Sequence, residues 1–453
     1  MIAKLPVMLS PSTLRLVCLS LGLLNAAAGL AQAAGGLLPD VRGAERELAR
    51  ARHELEEIAG DRGEAAAALP VLDDEELSLI EREKVRVDRL FEVDPDEWTE
   101  EDRQWAQELL PFALALRGSL AAGEEDGGTA TEEAEDEEGD EVAGAEELAS
   151  RSLALLRAVK VVALGDRLAD LDGDLSALLD GVELRGQVAE RLYLQPGLIG
   201  SAIGSAIHQG VLRDLRRVVD RSAVPREALD RIDIDLLQWQ QAVPGAAEVV
   251  AMEGLSILDR AEDLPGQLGG VGDAAAALFL APVARDFADL ARICQERGCA
   301  NGAAFLDQRR EESNDPFRVI ADMMMPNFLG LVTRLDGVAR LTEVARVAVA
   351  LRLEGIEMGG YPATPEDLPA VLSARLDAIE GLEYEWLDGR VRLRLQSKAL
   401  LSQWPEARRA WIEPLFFWEL PEPSVGGEDS GSGSAAAGAG PAAVERRSPQ
   451  GTS

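Results

Sequence analysis

The chain has 453 residues, 47% of them hydrophobic but only 4% aromatic, and a formal charge of −36 at pH 7. An acidic surface of this strength excludes nucleic acid, whose phosphates need a basic face, and excludes adsorption to anionic lipid. With so few aromatics the core must be built from Leu, Ala and Val, the composition of packed helices.

The first 33 residues read as an export signal. Lys4 and Arg15 supply positive charge, LVCLSLGLL at 16–24 is a short apolar region, and Ala31-Gln32-Ala33 fits the small-x-small cleavage rule. An uncleaved anchor is the other reading of this segment. The rest of the chain has no apolar run of membrane length, so no membrane span is expected after the signal is removed. The address is therefore periplasmic or secreted.

Residues 34–121 form a first helical region. GAERELARARHELEEIAG (43–60) carries a thin apolar stripe at Leu48, Ala51, Leu55 and Ile58. DDEELSLIEREKVRVDRLF (73–91) opens with acids, as a helix N-terminus prefers. WTEEDRQWAQELLPFALALRG (98–118) opens with Thr99 and Asp102 in a loose capping box, and places Trp98, Trp105 and Leu109 on one face. Residues 122–147 then hold 13 acids, no base, and Val142 as their one large apolar side chain. Such a run cannot bury enough surface to offset chain entropy, and it predicts a disordered linker.

Residues 148–330 predict an antiparallel helical domain. DLDGDL (170–175) looks at first like a calcium loop, but its Gly is fourth instead of sixth and position twelve is Gly181. A turn between two helices, with Asp174 capping the second, explains it better. In GLIGSAIGSAIHQGVL (197–212), Gly197, Ser201 and Ser205 are four apart, as are Gly200 and Gly204. Small residues at that spacing predict a close helix–helix approach inside a helical domain. His208 ends the stretch with no His or Cys nearby, so it reads as a packed histidine. SAVPREAL (222–229) starts a further helix, with Pro225 suited to the first turn. Cys294 and Cys299 stand five apart, with Gly298 as a helix stop between them. In an exported chain they predict a small structural disulfide.

Residues 331–423 predict a small α+β segment. A long helix from about Pro326 to Met358 carries Leu335, Val338, Leu341, Val344, Ala348, Leu351 and Ile356 on one face and stops at Gly359-Gly360. TPEDLPAVL predicts a short helix with Thr364 as its cap. In LEYEWLDGRVRLRL (382–395), Asp388-Gly389 signals a type I′ hairpin turn. With that turn, Glu385 faces Arg392 and Glu383 faces Arg394 on the outer face. Trp386, Tyr384 and Leu382 then face Val391, Leu393 and Leu395 on the other. The aromatics that follow, among them Trp411, Phe416, Phe417 and Trp418, are candidate partner contacts, although such residues more often cover their own domain. Residues 424–453 are Gly/Ser/Ala-rich and predict a disordered tail. The fold class is thus mainly α, a multi-helix domain followed by a small α+β segment.

The order in ARLTEVARVAVALRLEGIEMGGYPATPEDLPAVL (339–372) and LEYEWLDGRVRLRL (382–395) resembles the C-terminal globular part of type II secretion pseudopilins and related pilin-like proteins. The whole chain is also similar to a group of uncharacterised exported, helix-rich bacterial proteins with such a tail. That resemblance implies a pilin-like shape, without implying pilus assembly or any activity. No metalloprotease, nucleophile-elbow, phosphate-loop or dinucleotide motif occurs, so no catalytic, cofactor or metal residue is assigned. Beside a helical carrier of small periplasmic ligands, which no residue singles out, two functions remain open. One is a non-catalytic binding or scaffold protein of the envelope with envelope or secretion-system partners. The other is a periplasmic carboxylate-dependent hydrolase acting on a polymer, with its carboxylates among Asp230, Asp233, Asp235 and Glu253.

Overall fold

A computed structural model describes residues 41–60, 69–122, 141–195, 198–262, 272–299 and 318–423 apart from 397, 403 and 405, together with a few positions between 301 and 308. The segment expected to be an export signal (1–33), residues 123–140 of the acidic run expected to be a linker, and the expected tail from 424 onward lie outside these. The helices are α1 (Val41–Ala59), α2 (Asp74–Glu92), α3 (Glu100–Ala122), α4 (Glu141–Leu171), α5 (Leu175–Tyr193), α6 (Leu198–Val219), α7 (Arg226–Ala242), α8 (Ala246–Glu262), α9 (Gly272–Arg297), α10 (Arg318–Met358) and α11 (Ala370–Ala378). Strands β1 (Leu382–Leu387) and β2 (Arg390–Leu395), helices α12 (Lys398–Ser402) and α13 (Glu406–Ile412), and strand β3 (Phe417–Leu420) complete the order. The protein is mainly helical with a small antiparallel sheet near the C-terminal end of the described chain.

Local chemistry starts these helices where expected. Asp73 and Glu76 cap α2 reciprocally, each side chain accepting from the other's backbone N–H. Thr99 and Asp102 do the same for α3. Asp174 accepts from the Ala177 N–H at 3.0 Å and starts α5. Two long helices begin earlier than the sequence reading placed them. Helix α4 begins at Glu141, so 141–147 belong to a helix and not to an extended linker. The helix continues N-terminally from a strongly apolar stretch, and acids are well placed at its positive end. Helix α10 likewise begins at Arg318, well before Pro326.

Helix α9 packs on α1 and α8, while α4 packs on α2, α3, α5 and α6. Helix α10 lies against α6 and α7, and buries Leu335, Val338, Leu341, Val344, Ala348 and Leu351 there. One hydrophobic core therefore runs across the divisions drawn at 121 and 330. The Cys294–Cys299 pair closes the end of α9 as a disulfide, with Cα atoms 4.2 Å apart. The helix stops between them at Gly298, whose φ is +79°. No helix among the described residues is long and apolar enough to cross a membrane.

The hairpin has the register that its turn and alternation predict. Leu382 pairs with Leu395, Glu383 with Arg394, Tyr384 with Leu393, Glu385 with Arg392 and Trp386 with Val391. Asp388 takes φ +48° and Gly389 φ +85°, as a type I′ turn requires. Strand β3, which the sequence reading did not separate from its aromatic run, pairs antiparallel with β2. Thr364 stands at the N-cap position of only the 3-10 turn Pro365–Asp367; α11 starts five residues beyond the expected point, behind Pro369. The two prolines divide the segment, because each removes an N–H and disfavours helix in the residue before it.

The small residues of α6 are close-packing devices. A Cβ added at Gly200 would lie 2.3 Å from the Leu192 carbonyl oxygen, a backbone atom that cannot step aside. Gly118 on α3 meets nothing within 4 Å. Gly200→Ala should therefore cost about 2 kcal/mol of stability. Gly118→Ala should instead add roughly 0.5–1 kcal/mol, by the helix propensity of Ala. Urea denaturation of both variants checks the opposite signs; a gain at both positions would show that α5 and α6 do not meet this closely.

Candidate functional site

The densest constellation of charge is inside the bundle. Arg185 on α5 stands between two carboxylates: its Nε is 3.0 Å from Asp166 Oδ2, and its Nη1 donates to Asp214 Oδ2 at 2.7 Å. Arg167 Nε donates to the other oxygen of Asp214 at 3.0 Å, and its Nη1 donates to the Phe91 carbonyl at 2.8 Å. Arg117 on α3 pairs with Asp166 and reaches the Ala177 carbonyl at 3.1 Å. The chain Arg117–Asp166–Arg185–Asp214–Arg167 thus links α3, α4, α5 and α6. It ends on the last carbonyls of α2, where Arg213 also donates, to Glu92 O at 3.1 Å. Cations at a helix C-terminus meet the negative end of its dipole.

Burial tends to raise an Asp, but two guanidiniums hold Asp214 below its ordinary value. Asp166 is raised, because burial outweighs the pull of Arg185 and Arg117. Asp166, Arg185 and Asp214 are at most 1% exposed. No substrate reaches them as the helices stand, and what this arrangement can do is clamp helices.

A second polar cluster surrounds His208. Its Nδ1 lies 3.4 Å from the Tyr193 hydroxyl and its Nε2 3.3 Å from Thr342 Oγ1, and its ring stands edge-on to Trp239. Burial pushes His208 down to about 4. It is a neutral core histidine joining α5, α6, α7 and α10.

The Gly-Gly-Tyr-Pro stretch belongs to a third cluster. Gly359 ends α10 with φ +69°, and the chain turns back so that Tyr361 lies on the helix at Gly355. The Tyr361 hydroxyl donates to Pro421 O at 3.1 Å. Arg352, 1% exposed, donates to that hydroxyl at 3.1 Å, to Pro421 O at 2.8 Å, and to the carbonyls of Arg221 and Ser222 at 2.7 and 3.0 Å. One guanidinium therefore ties the long helix, the α6–α7 turn and the chain leaving β3.

The residues expected to meet a partner are placed otherwise. Trp418 is 1% exposed and its indole N–H donates to Leu415 O. Phe416 is buried edge-on against Trp404. Both cover their own core, which corrects the partner reading for them. Phe417 is half-buried beneath the Arg392 guanidinium, and the side chain of Trp411 lies outside the described positions. Three of the four carboxylates named for a hydrolase have separate partners. Asp230 stands near Arg226, Asp233 near Arg346, and Glu253 accepts the Leu198 N–H at 3.0 Å. Asp235 is pushed up to about 6 by burial and by Glu183. Among the described residues no group of three or more His, Cys, Asp or Glu could hold a metal ion.

Comparison of the chain with family models, curated proteins and solved structures found no match.

The buried clusters could not have been picked out from sequence, because 81 acids and 45 bases offer too many pairings. Asp214→Ala would leave Arg167 and Arg185 buried without their counter-charge, and should cost about 3–5 kcal/mol in urea denaturation. A cost of under about 1 kcal/mol would show that the clamp is not needed. For His208 the folded state binds fewer protons than the unfolded state between about pH 4 and 6.5. Its contribution is complete above 6.5 and is lost as the pH falls through that window, by on the order of 3 kcal/mol. The difference in stability between the protein and His208→Gln, measured from pH 7 to 4, should shrink by that amount; a difference that does not change with pH would place the imidazole in contact with water.

Proposed function

We propose that this protein is a non-catalytic binding or scaffold protein of the bacterial envelope, exported by its N-terminal segment and docked to a secretion or pilus-like assembly. The observation that carries this reading is where the charge is spent. Asp166, Arg185, Asp214, Arg167 and Arg352 are sealed and serve as clamps between helices. Of the carboxylates that a polymer hydrolase would need facing one another, Asp230, Asp233 and Glu253 are each engaged by a different partner. A disulfide between Cys294 and Cys299 suits an oxidising compartment. The order long helix, Gly-Gly-Tyr-Pro turn, short helix and hairpin supports a docking role for the C-terminal segment, by its resemblance to pilin-like proteins.

Light crosslinking of the tagged protein in its native cell, followed by identification of what co-purifies, tests this. Secretion or pilus components should be enriched over a control carrying only the export signal. Recovery of the protein alone from periplasm and envelope would remove the docking role.

A further inference from the structure

Strand β1 is one of the two edges of the sheet; the other, β3, lies against α10, with its Glu419 backbone at Asp220. The strand order is β1-β2-β3, and among the described residues nothing pairs with β1 on the side away from β2. In a two-residue hairpin the pair flanking the turn is hydrogen-bonded, so Leu387, Glu385 and Glu383 bond inward to β2. The alternate residues turn their N–H and C=O groups outward. Leu382 agrees with this phase, since its N–H donates to Ile379 O and not to β2. That leaves the backbone groups of Tyr384 and Trp386 facing out.

The side chains around this edge are also specific. Glu383 and Glu385 are exposed on one face, and Trp386 and Leu387 are 41% and 39% exposed at the tip. Glu385 already pairs with Arg392 across the hairpin at 3.4 Å, and both oxygens of Glu383 accept from Gln396 Nε2 at 2.7 Å, each keeping its solvent-facing side open. A strand added on the open side would place its own residues against the same two carboxylates. A second copy of β1 fits poorly. Antiparallel pairing centred on Tyr384 sets Glu383 against the other copy's Glu385, and centring on Glu385 sets that residue against itself. Like charges directly opposite are destabilising. The chain's own residues 424–453 offer Arg446 and Arg447 side by side, which would point to opposite faces of a strand.

We propose that the open edge of β1 accepts a β-strand from a protein partner, one that alternates Arg or Lys with apolar residues. The basic side chains meet Glu383 and Glu385, the backbone bonds Tyr384 and Trp386, and an apolar residue covers Trp386. The charge of −36 favours approach of such a segment. The mode is strand addition to a sheet edge, in which backbone bonds give affinity and alternate side chains give specificity. It rests on the binding reading above and names its surface.

The test uses the full chain and a capped synthetic peptide RVRLRL, the sequence that β1 already pairs with in β2. A capped RRRVLL peptide has the same composition and charge without the alternation. RVRLRL should bind about tenfold tighter than RRRVLL and slow amide exchange at Tyr384 and Trp386 by at least about tenfold. Glu383→Gln with Glu385→Gln should weaken RVRLRL by about fivefold while the amides of β1 and β2 that bond within the hairpin keep their exchange protection. Trp386→Pro, which removes one outward N–H, should abolish binding while β2 and β3 keep their exchange protection. Equal binding of the two peptides, protection away from β1, or indifference to the Gln pair would overturn the proposal. If envelope partners still co-purify in that case, the scaffold role stands without this edge. If the peptide binds as expected and no partner co-purifies, the edge stands and the scaffold role does not.

Discussion

Asp214 is the point on which the helical part of the protein depends. It is fully buried and takes two guanidiniums, one from α4 and one from α5, and Arg185 then passes the charge on to Asp166 and Arg117. A core of Leu, Ala and Val alone is tolerant of sliding, since one small aliphatic contact replaces another at little cost. Charges in a dry interior have no such tolerance: each must meet its partner or lose several kcal/mol of hydration. The network is better read as a device for register than as a source of net stability. It sets how α3, α4, α5 and α6 lie along one another and where the end of α2 docks.

The same logic recurs at the C-terminal end. Arg352 is buried on α10, and its Nη1 and Nη2 donate to the Tyr361 hydroxyl and to carbonyls from two other parts of the chain. The small sheet is therefore not an appendage on a stalk. Its third strand leads back through Pro421 to the long helix, and Trp404 fills the space left at Gly337. The aromatic residues near the C-terminus, scarce elsewhere in the chain, are spent mainly on closing this joint. The joint lies on the β3 side of the sheet; β1 forms the other edge, and Glu383 and Glu385 are exposed along it.

Much of the local structure was legible because its causes are local. Asp174, Thr99 and Asp73 cap the helices that follow them through bonds three residues long. Asp388-Gly389 sets a turn, and the turn alone sets the pairing of Glu385 with Arg392 and Tyr384 with Leu393. Gly298 lets Cys294 and Cys299 meet across a helix end. The spacing of Gly200 and Gly204 showed that something must come close, though not that it would be the backbone at Leu192 and Ala189. Element boundaries were less legible at Glu141 and Arg318, where packing of the apolar part of a helix carries its polar or irregular end along.

The amino-acid sequence by itself thus determined the helical class, the caps, the disulfide and the hairpin register, since each follows from residues close together in the chain. Only the tertiary structure decided which of many acids and bases meet in the core, that Tyr361 serves as a hook for the C-terminal strand, that Phe416 and Trp418 face inward, and that β1 is left without a second neighbour. Those outcomes depend on pairs such as Arg167 with Asp214 and Arg352 with Pro421, far apart in sequence. Their energies come from dehydration and from packing at full density, and neither exists until the helices have met.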